Sequence, residues 1–287
     1  MDGEGVGPDG AAARKVEQDR VAATSLWIAA ARAAETARQD SLFSDPWAES
    51  LAGERGRAMF AAAPENPFLP VRTRYFDDRI RQACRPGTQL VLLGAGMDTR
   101  AFRLPLPASC AVYELDQAGV LEAKNHVLDR AHAACARTCI VADLAQPWMP
   151  LLHAAGFDPR LPTIWIAEGL LFYLSAAAVD SLLADTAEMS APGSVFLADT
   201  FGTGLLETPA LAPLVLARDK NGRELPFCTD DPGALFRSAG WSGVDVVQPG
   251  QPRADYGRFP HGAETRTPDM PATLRTYLVA ASVGPAD

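Results

Sequence analysis

"LLGAGMDTRAF", residues 92–102, runs from an apolar strand through Gly94-Ala95-Gly96 into an acid and an arginine. Glycines directly after a strand let the backbone approach a ligand, and dinucleotide-binding loops add a third glycine for helix packing beneath a pyrophosphate. Here that third place holds Asp98, a negative charge where the pyrophosphate would sit. The loop therefore points to a different ligand from NAD or FAD, although Asp98 is equally placed to cap the helix that follows.

Outward from this loop the chain alternates short apolar runs with helical stretches. "TQLVLLG" reads as the first strand, "CAVYELD" as the second, "RTCIVADL" as the third, "LPTIWIAEG" as the fourth and "GSVFLADTF" as the fifth. Helices are expected over 117–134, roughly 146–155, and "SAAAVDSLLADTAEM". A helix in "DDPGALFRSAG" precedes two last strands in "GVDVVQP" and "TLRTYLVAAS". This pattern predicts an α/β fold: a seven-stranded, mostly parallel sheet with helices on both faces.

Three helices are expected before the first strand. Lys15 to Arg38 is Ala-rich, "SDPWAESLA" offers Ser44 or Asp45 as a cap with Pro46 in the first turn, and "VRTRYFDDRIRQAC" is the third. The organisation is thus a disordered lead over 1–13, a helical lid over 14–86 and a core over 87–287 that forms one unit with the lid. "PGQPRADYGRFPHGAETRTPDMP" is a long loop suited to function.

In an open parallel sheet, ligands bind at the carboxyl ends of the strands. Acids stand there in series: Asp116 after the second strand, Asp143 after the third, Glu168 after the fourth and Asp199 in the fifth. Asp116, twenty residues past Gly96, has the position of an acid that accepts hydrogen bonds from ribose hydroxyls. Asp199 could equally belong to a simple turn. A cationic nucleoside without phosphate suits this rim. S-adenosylmethionine fits, with its ribose for Asp116, its adenine amino group for Asp143 and its ammonium for Glu168.

The whole chain narrows the class further. With 287 residues it can bury a substantial core, and a formal charge of −9 opposes the counterion-releasing basic surface that nucleic acids require. Five cysteines form no C-x-x-C pair and no companion His cluster supplies a zinc site. An odd cysteine count without a framework, no secretory leader and no stretch able to span a bilayer predict a cytoplasmic protein with no membrane partner and no metal.

"RTRYFDD", "VLLGAGMDTRAFRL", "YELD", "VADL" and "AEGLLFYL" resemble the leucine carboxyl methyltransferase family. They look closest to its bacterial small-molecule branch of tetracenomycin-type polyketide carboxyl O-methyltransferases, over about residues 20–280. The resemblance implies a class I, Rossmann-like methyltransferase sheet with an N-terminal helical addition, and S-adenosylmethionine as cofactor with S-adenosylhomocysteine as product. It implies that Gly94 and Gly96 pack under the methionine part, Asp116 takes the ribose, and Asp143 and Leu144 flank the adenine. Glu168 would lie near the amino end, and Arg72 would bind the cofactor carboxylate, with Arg74 two residues away as the alternative register.

The acceptor is the open part of the reading. A carboxylate is already ionised near neutrality and needs no base, whereas a phenol or alcohol does. His126, His132 and His153 fall in or near the helices that flank the sheet, which leaves His261, in the long loop, as the one candidate base. Trp27, Phe172, Tyr173, Phe201 and Tyr256 are aromatic candidates for an acceptor pocket, although Trp27 and Phe172 also suit an ordinary core. Arg32 and Arg258 are candidates to hold an acceptor carboxylate. The expectation is methyl transfer to a carboxylate of a small specialised metabolite such as a polyketide. A hydroxyl acceptor or a peptide C-terminus stands as the alternative.

S-adenosylmethionine and S-adenosylhomocysteine are each expected to raise the melting temperature, while NAD and NADP leave it unchanged. A ligand bound only by the folded state at 100 times its dissociation constant adds ~2.7 kcal/mol. A thermal-shift panel checks this, and stabilisation by NAD alone would overturn the cofactor assignment.

Overall fold

The computed structural model describes residues 23–63, 66–208, 224–259 and 275–284. The 1–13 lead, the first part of the Lys15–Arg38 helix and the second half of the long loop, with His261, lie outside these residues. The first described helix, α1, covers 23–36. It is followed by α2 (Ala48–Ala62) and α3 (Phe68–Ala83). The sheet then builds through β1 (Gln89–Leu93), the short α4 (Arg100–Arg103), β2 (Ala111–Asp116), α5 (Ala118–Val127) and β3 (Ala136–Val141). Next come α6 (Met149–Ala154), β4 (Thr163–Ala167), a 3-10 turn (Leu171–Tyr173), α7 (Ala176–Glu188) and β5 (Val195–Phe201). A second 3-10 turn (Thr203–Glu207), α8 (Pro232–Ser238), β6 (Gly243–Val247) and β7 (Thr276–Ser282) complete the order.

The seven strands lie in the order β3-β2-β1-β4-β5-β7-β6, which places the reversal of strand order between β1 and β4. All pairs are parallel except those made by β7, which runs antiparallel to both β5 and β6. All five residues of β1 and of β4 are buried, as continuous apolar runs in a sheet covered on both faces should be.

Successive strand residues point to opposite faces, and the core divides accordingly. Val91, Leu93, Trp165, Phe196 and Trp241 pack on the face that α7 covers with Val179, Leu182 and Leu183. Leu90, Leu92, Ile164, Ile166 and Leu197 pack on the other face, against Val71, Tyr75, Phe76 and Ile80 of α3. Among the described residues no helix is long and apolar enough to cross a membrane.

Two local expectations are corrected. The helix expected over 117–134 ends at Val127, since the chain must turn before β3 begins at Ala136. Ser44 and Asp45 do not cap α2, whose first residue follows Trp47 with no side-chain cap. Asp45 is instead buried, where one carboxylate oxygen accepts from Arg32 Nε at 2.8 Å and from the Thr99 hydroxyl at 2.7 Å. The helix also kinks at Gly53, where φ is +57°.

Asp45 begins a chain of buried ion pairs. Arg103 stands 4.0 Å from it and also reaches Asp77, whose two oxygens accept from Arg103 at 2.5 and 2.8 Å and from Arg100 Nε at 2.8 Å. Asp77 is fully buried, so its loss leaves two buried guanidiniums short of a carboxylate. Breaking a buried pair in this way costs about 3–5 kcal/mol. Asp77→Ala is therefore expected to cut the unfolding free energy by about that amount, read from the urea midpoint. Arg160→Ala, which removes an exposed pair with Asp158, should leave the midpoint where it is.

Candidate active site

The carboxyl ends of β1 to β5, with α1 and α3 above them, enclose a cavity of about 510 Å³. Gly94 and Gly96 form its floor, with φ of +67° and +46° that only glycine adopts without strain. A side chain at Gly94 would also meet Leu170 at 3.0 Å. The loop is tied to the second strand: the Gly96 N–H donates to Asp116 Oδ2 at 2.7 Å, while Asp116 Oδ1 accepts from the Gln117 N–H at 2.7 Å. Burial raises the Asp116 carboxyl above its usual range, against the pull of these two amides.

Asp98 accepts from the Arg100 N–H at 2.6 Å and pairs with the Arg100 guanidinium. Burial opposes its ionisation, but Arg100, Lys124, Arg103 and the Arg100 amide together hold its pKa at about 2. Asp98 is thus not the bare charge that the sequence suggested. It starts α4 and fixes Arg100.

Arg100 was not singled out from the sequence, although it sits inside the motif that opened the reading. Its side chain is 2% exposed and meets Asp77, Asp98 and Glu168, the last at 2.7 Å. Glu168 Oε1 accepts from Arg72 Nε at 3.0 Å, and its Oε2 is the oxygen ion-paired to Arg100. Burial works against the Glu168 charge, yet Arg100 and Arg72 lower its pKa overall. Arg72 also donates to Asp199 Oδ2 at 3.0 Å. Through this network run five carboxylates, Asp45, Asp77, Asp98, Glu168 and Asp199, against the four guanidiniums Arg32, Arg72, Arg100 and Arg103. On the cavity wall itself Asp98, Asp116, Asp143 and Glu168 stand with Arg32, Arg72, Arg100 and Arg103, four acids with four arginines, which suits an occupant that carries charges of both signs.

Asp143 lies at the far end, after β3, where its Oδ1 accepts from the Ala145 N–H at 3.0 Å, and Leu144 lines the wall beside it. At the opposite end Phe68, Phe172, Tyr173 and Phe201 make a run of edge-on aromatic contacts 5.6 to 6.3 Å between centroids. The Arg72 guanidinium lies 5.3 Å from the Phe68 ring. Phe68 is a further residue that the sequence reading passed over, because it precedes the quoted helix motif. Trp27, on α1, lines the same cavity, and its indole N–H is buried without a partner.

The structure brings together Arg72, Gly94, Gly96, Asp116, Asp143, Leu144, Glu168, Trp27, Arg32, Tyr173 and Phe201. Arg74 stands outside, its Nε shared between the two oxygens of Asp78 and its Nη1 donating to the Leu42 carbonyl. Two expected acceptor residues are also outside, and both are corrections. Tyr256 donates to Asp78 beneath Arg74, and Arg258 is neutralised by Glu35 and Asp40. Arg32, though on the wall, is committed to Asp45 and to the Met97 carbonyl at 2.5 Å, which makes it a tie between α1 and the glycine loop.

Comparison with known proteins identifies the family and the fold. The sequence model of the leucine carboxyl methyltransferase family matches residues 25–187, from α1 to α7. A Streptomyces avermitilis protein named as an S-adenosyl-L-methionine-dependent methyltransferase is 37% identical over 268 residues, 84% of this chain and 92% of that one. A protein of the same name from Mycobacteroides abscessus is 42% identical over 261 residues, 82% and 87% of the two chains. The fold is shared with the crystal structure of a Thermobifida fusca protein described as a methyltransferase, at a TM-score of 0.55 and 20% identity over 80% of this chain and 89% of that one. The chain is an S-adenosylmethionine-dependent methyltransferase and belongs to the leucine carboxyl methyltransferase family.

Proposed function

We propose that the chain methylates a carboxylate of a small molecule, in specialised metabolism and of the polyketide kind, in the cytoplasm. The observation that carries this reading is the chemistry of the cavity wall. Its described lining holds no histidine, lysine or cysteine, and its acids are occupied by guanidiniums or backbone amides. A nucleophile that must first lose a proton finds no ready base there. A carboxylate needs none. His126, His132 and His153 are not on the wall, and His261 lies outside the described residues.

The donor set fits S-adenosylmethionine: Asp116 and Asp143 stand at strand ends with backbone amides as their hydrogen-bond donors, and Arg72 on the same wall has Nη2 without an acceptor among the described residues. The cofactor supplies an electrophilic methyl group on a sulfonium. In our reading Gly94 and Gly96 admit its methionine part, Asp116 holds the ribose, and Asp143 and Leu144 border the adenine. Glu168 takes the ammonium and Arg72 the carboxylate. Trp27, Phe68, Phe172, Tyr173 and Phe201 hold the acceptor. The enzyme's work is then alignment and water exclusion, and orientation alone is worth ~7–11 kcal/mol.

The product is expected to be an ester that mild alkali cleaves, read by mass spectrometry before and after treatment. The rate should be nearly flat from about pH 6 to 8, because the acceptor carboxyl ionises near ~4. An alkali-stable ether, with a rate rising through ~6.5 and lost in His261→Ala, would move the assignment to hydroxyl chemistry.

A further inference from the structure

Asp199 stands on β5 between β4 and β7, paired on one side with Leu278 of β7. The period of the strand sends its side chain to the same face as Leu197, the face that α3 covers. It is fully buried there. Each of its oxygens holds a different element. Oδ1 accepts from the Gly169 N–H at 2.6 Å, and Oδ2 from Arg72 Nη1 at 3.0 Å. One carboxylate thus joins the turn after β4 to the arginine of α3.

The guanidinium is restrained from three further directions. Nε donates to Glu168 at 3.0 Å, the Phe68 ring lies 5.3 Å from Cζ, and Gly169 approaches so closely that a Cβ there would stand 3.1 Å from Nη1. Among the described residues Nη2 has no hydrogen-bond acceptor, and Arg72 lines the cavity. A planar fork with Nε and Nη1 held has Nη2 left for a ligand.

We propose that Asp199 is a positioning residue for the cofactor: it sets the Arg72 guanidinium so that Nη2 is offered to the methionine carboxylate. This rests on the reading that Arg72 takes that carboxylate. Asp199 itself touches neither the cofactor nor the acceptor. Its contribution acts through Arg72, to which its Oδ2 is hydrogen-bonded.

The test compares two probes by calorimetry: S-adenosylhomocysteine, and 5′-methylthioadenosine, which has the nucleoside without the amino acid. Asp199→Asn should weaken S-adenosylhomocysteine about 10- to 100-fold, the scale of a hydrogen bond to a charged group. It should leave 5′-methylthioadenosine within about twofold. Arg72→Ala should show the same selective loss, and the double variant should be no worse than Arg72→Ala, because the two residues act as one unit. Gly169→Ala leaves the Asp199 side chain unaltered but sets a methyl 3.1 Å from Nη1, on a backbone of φ +66° that strains any side chain, so it should reproduce the selective loss even if Asp199→Asn fails to fold. Equal weakening of both probes, unchanged S-adenosylhomocysteine affinity in Asp199→Asn or Gly169→Ala, or additive losses would overturn the proposal. Full S-adenosylhomocysteine affinity in Arg72→Ala would instead refute the role of Arg72, and with it the basis for Asp199.

Discussion

Arg100 cannot be buried at 2% exposure without its carboxylates, and the chain surrounds it with three from different places: Asp77 on α3, Asp98 in the glycine loop and Glu168 after β4. A guanidinium's fork geometry and its persistent charge make each contact both directional and obligatory. Around it the pairs continue to Arg103 and Asp45 on one side and to Arg72 and Asp199 on the other. The strand ends and the helices before β1 are thereby held in one register by charge as well as by apolar packing. Such pairs are a poor source of net stability, since desolvation offsets much of their attraction. What they define is geometry: the position of the loop, the turn after β4 and α3 relative to one another.

The cavity is consequently polarised along its length. Near Gly94, Asp116 and Asp143 its polar groups are strand-end carboxylates and backbone amides. Near Phe68, Phe172 and Phe201 it is aromatic, with Arg72 and Glu168 at the boundary. A charged, hydrogen-bonding molecule and an apolar-bodied one can be taken side by side in such a space, and the boundary between them is where transfer has to occur.

The strands were legible because burial on both faces leaves a plain mark, a short apolar run bounded by turn residues. β1 as "QLVLL" and β4 as "TIWIA" need no tertiary information to be recognised. The acids at the strand ends were legible for the same reason, since the sheet topology assigns them an address. Charges in helices and loops carry no such address. Asp45 looks like a cap in "SDPW" and is an ion-pair partner of Arg32; Arg258 looks free and is held by Glu35 and Asp40. Arg100 stood in the quoted motif, but only the approach of α3, which brings Asp77, gives it a reason to be buried. Partner choice among charges far apart in sequence is a property of the folded chain, and periodicity does not encode it.

β7 has a consequence for the order in which this molecule is made. It is the last of the described strands, yet it lies inside the sheet between β5 and β6. During synthesis β5 is therefore left with an open hydrogen-bonding edge until residues 276–282 have emerged, long after β1 to β4 are available to pair. An open edge of this kind is a template for pairing with another chain. The nascent protein passes through an interval in which the strand that carries Asp199 and Phe201 is exposed to such pairing, and shielding of that edge by chaperones would matter most between the emergence of β5 and that of β7.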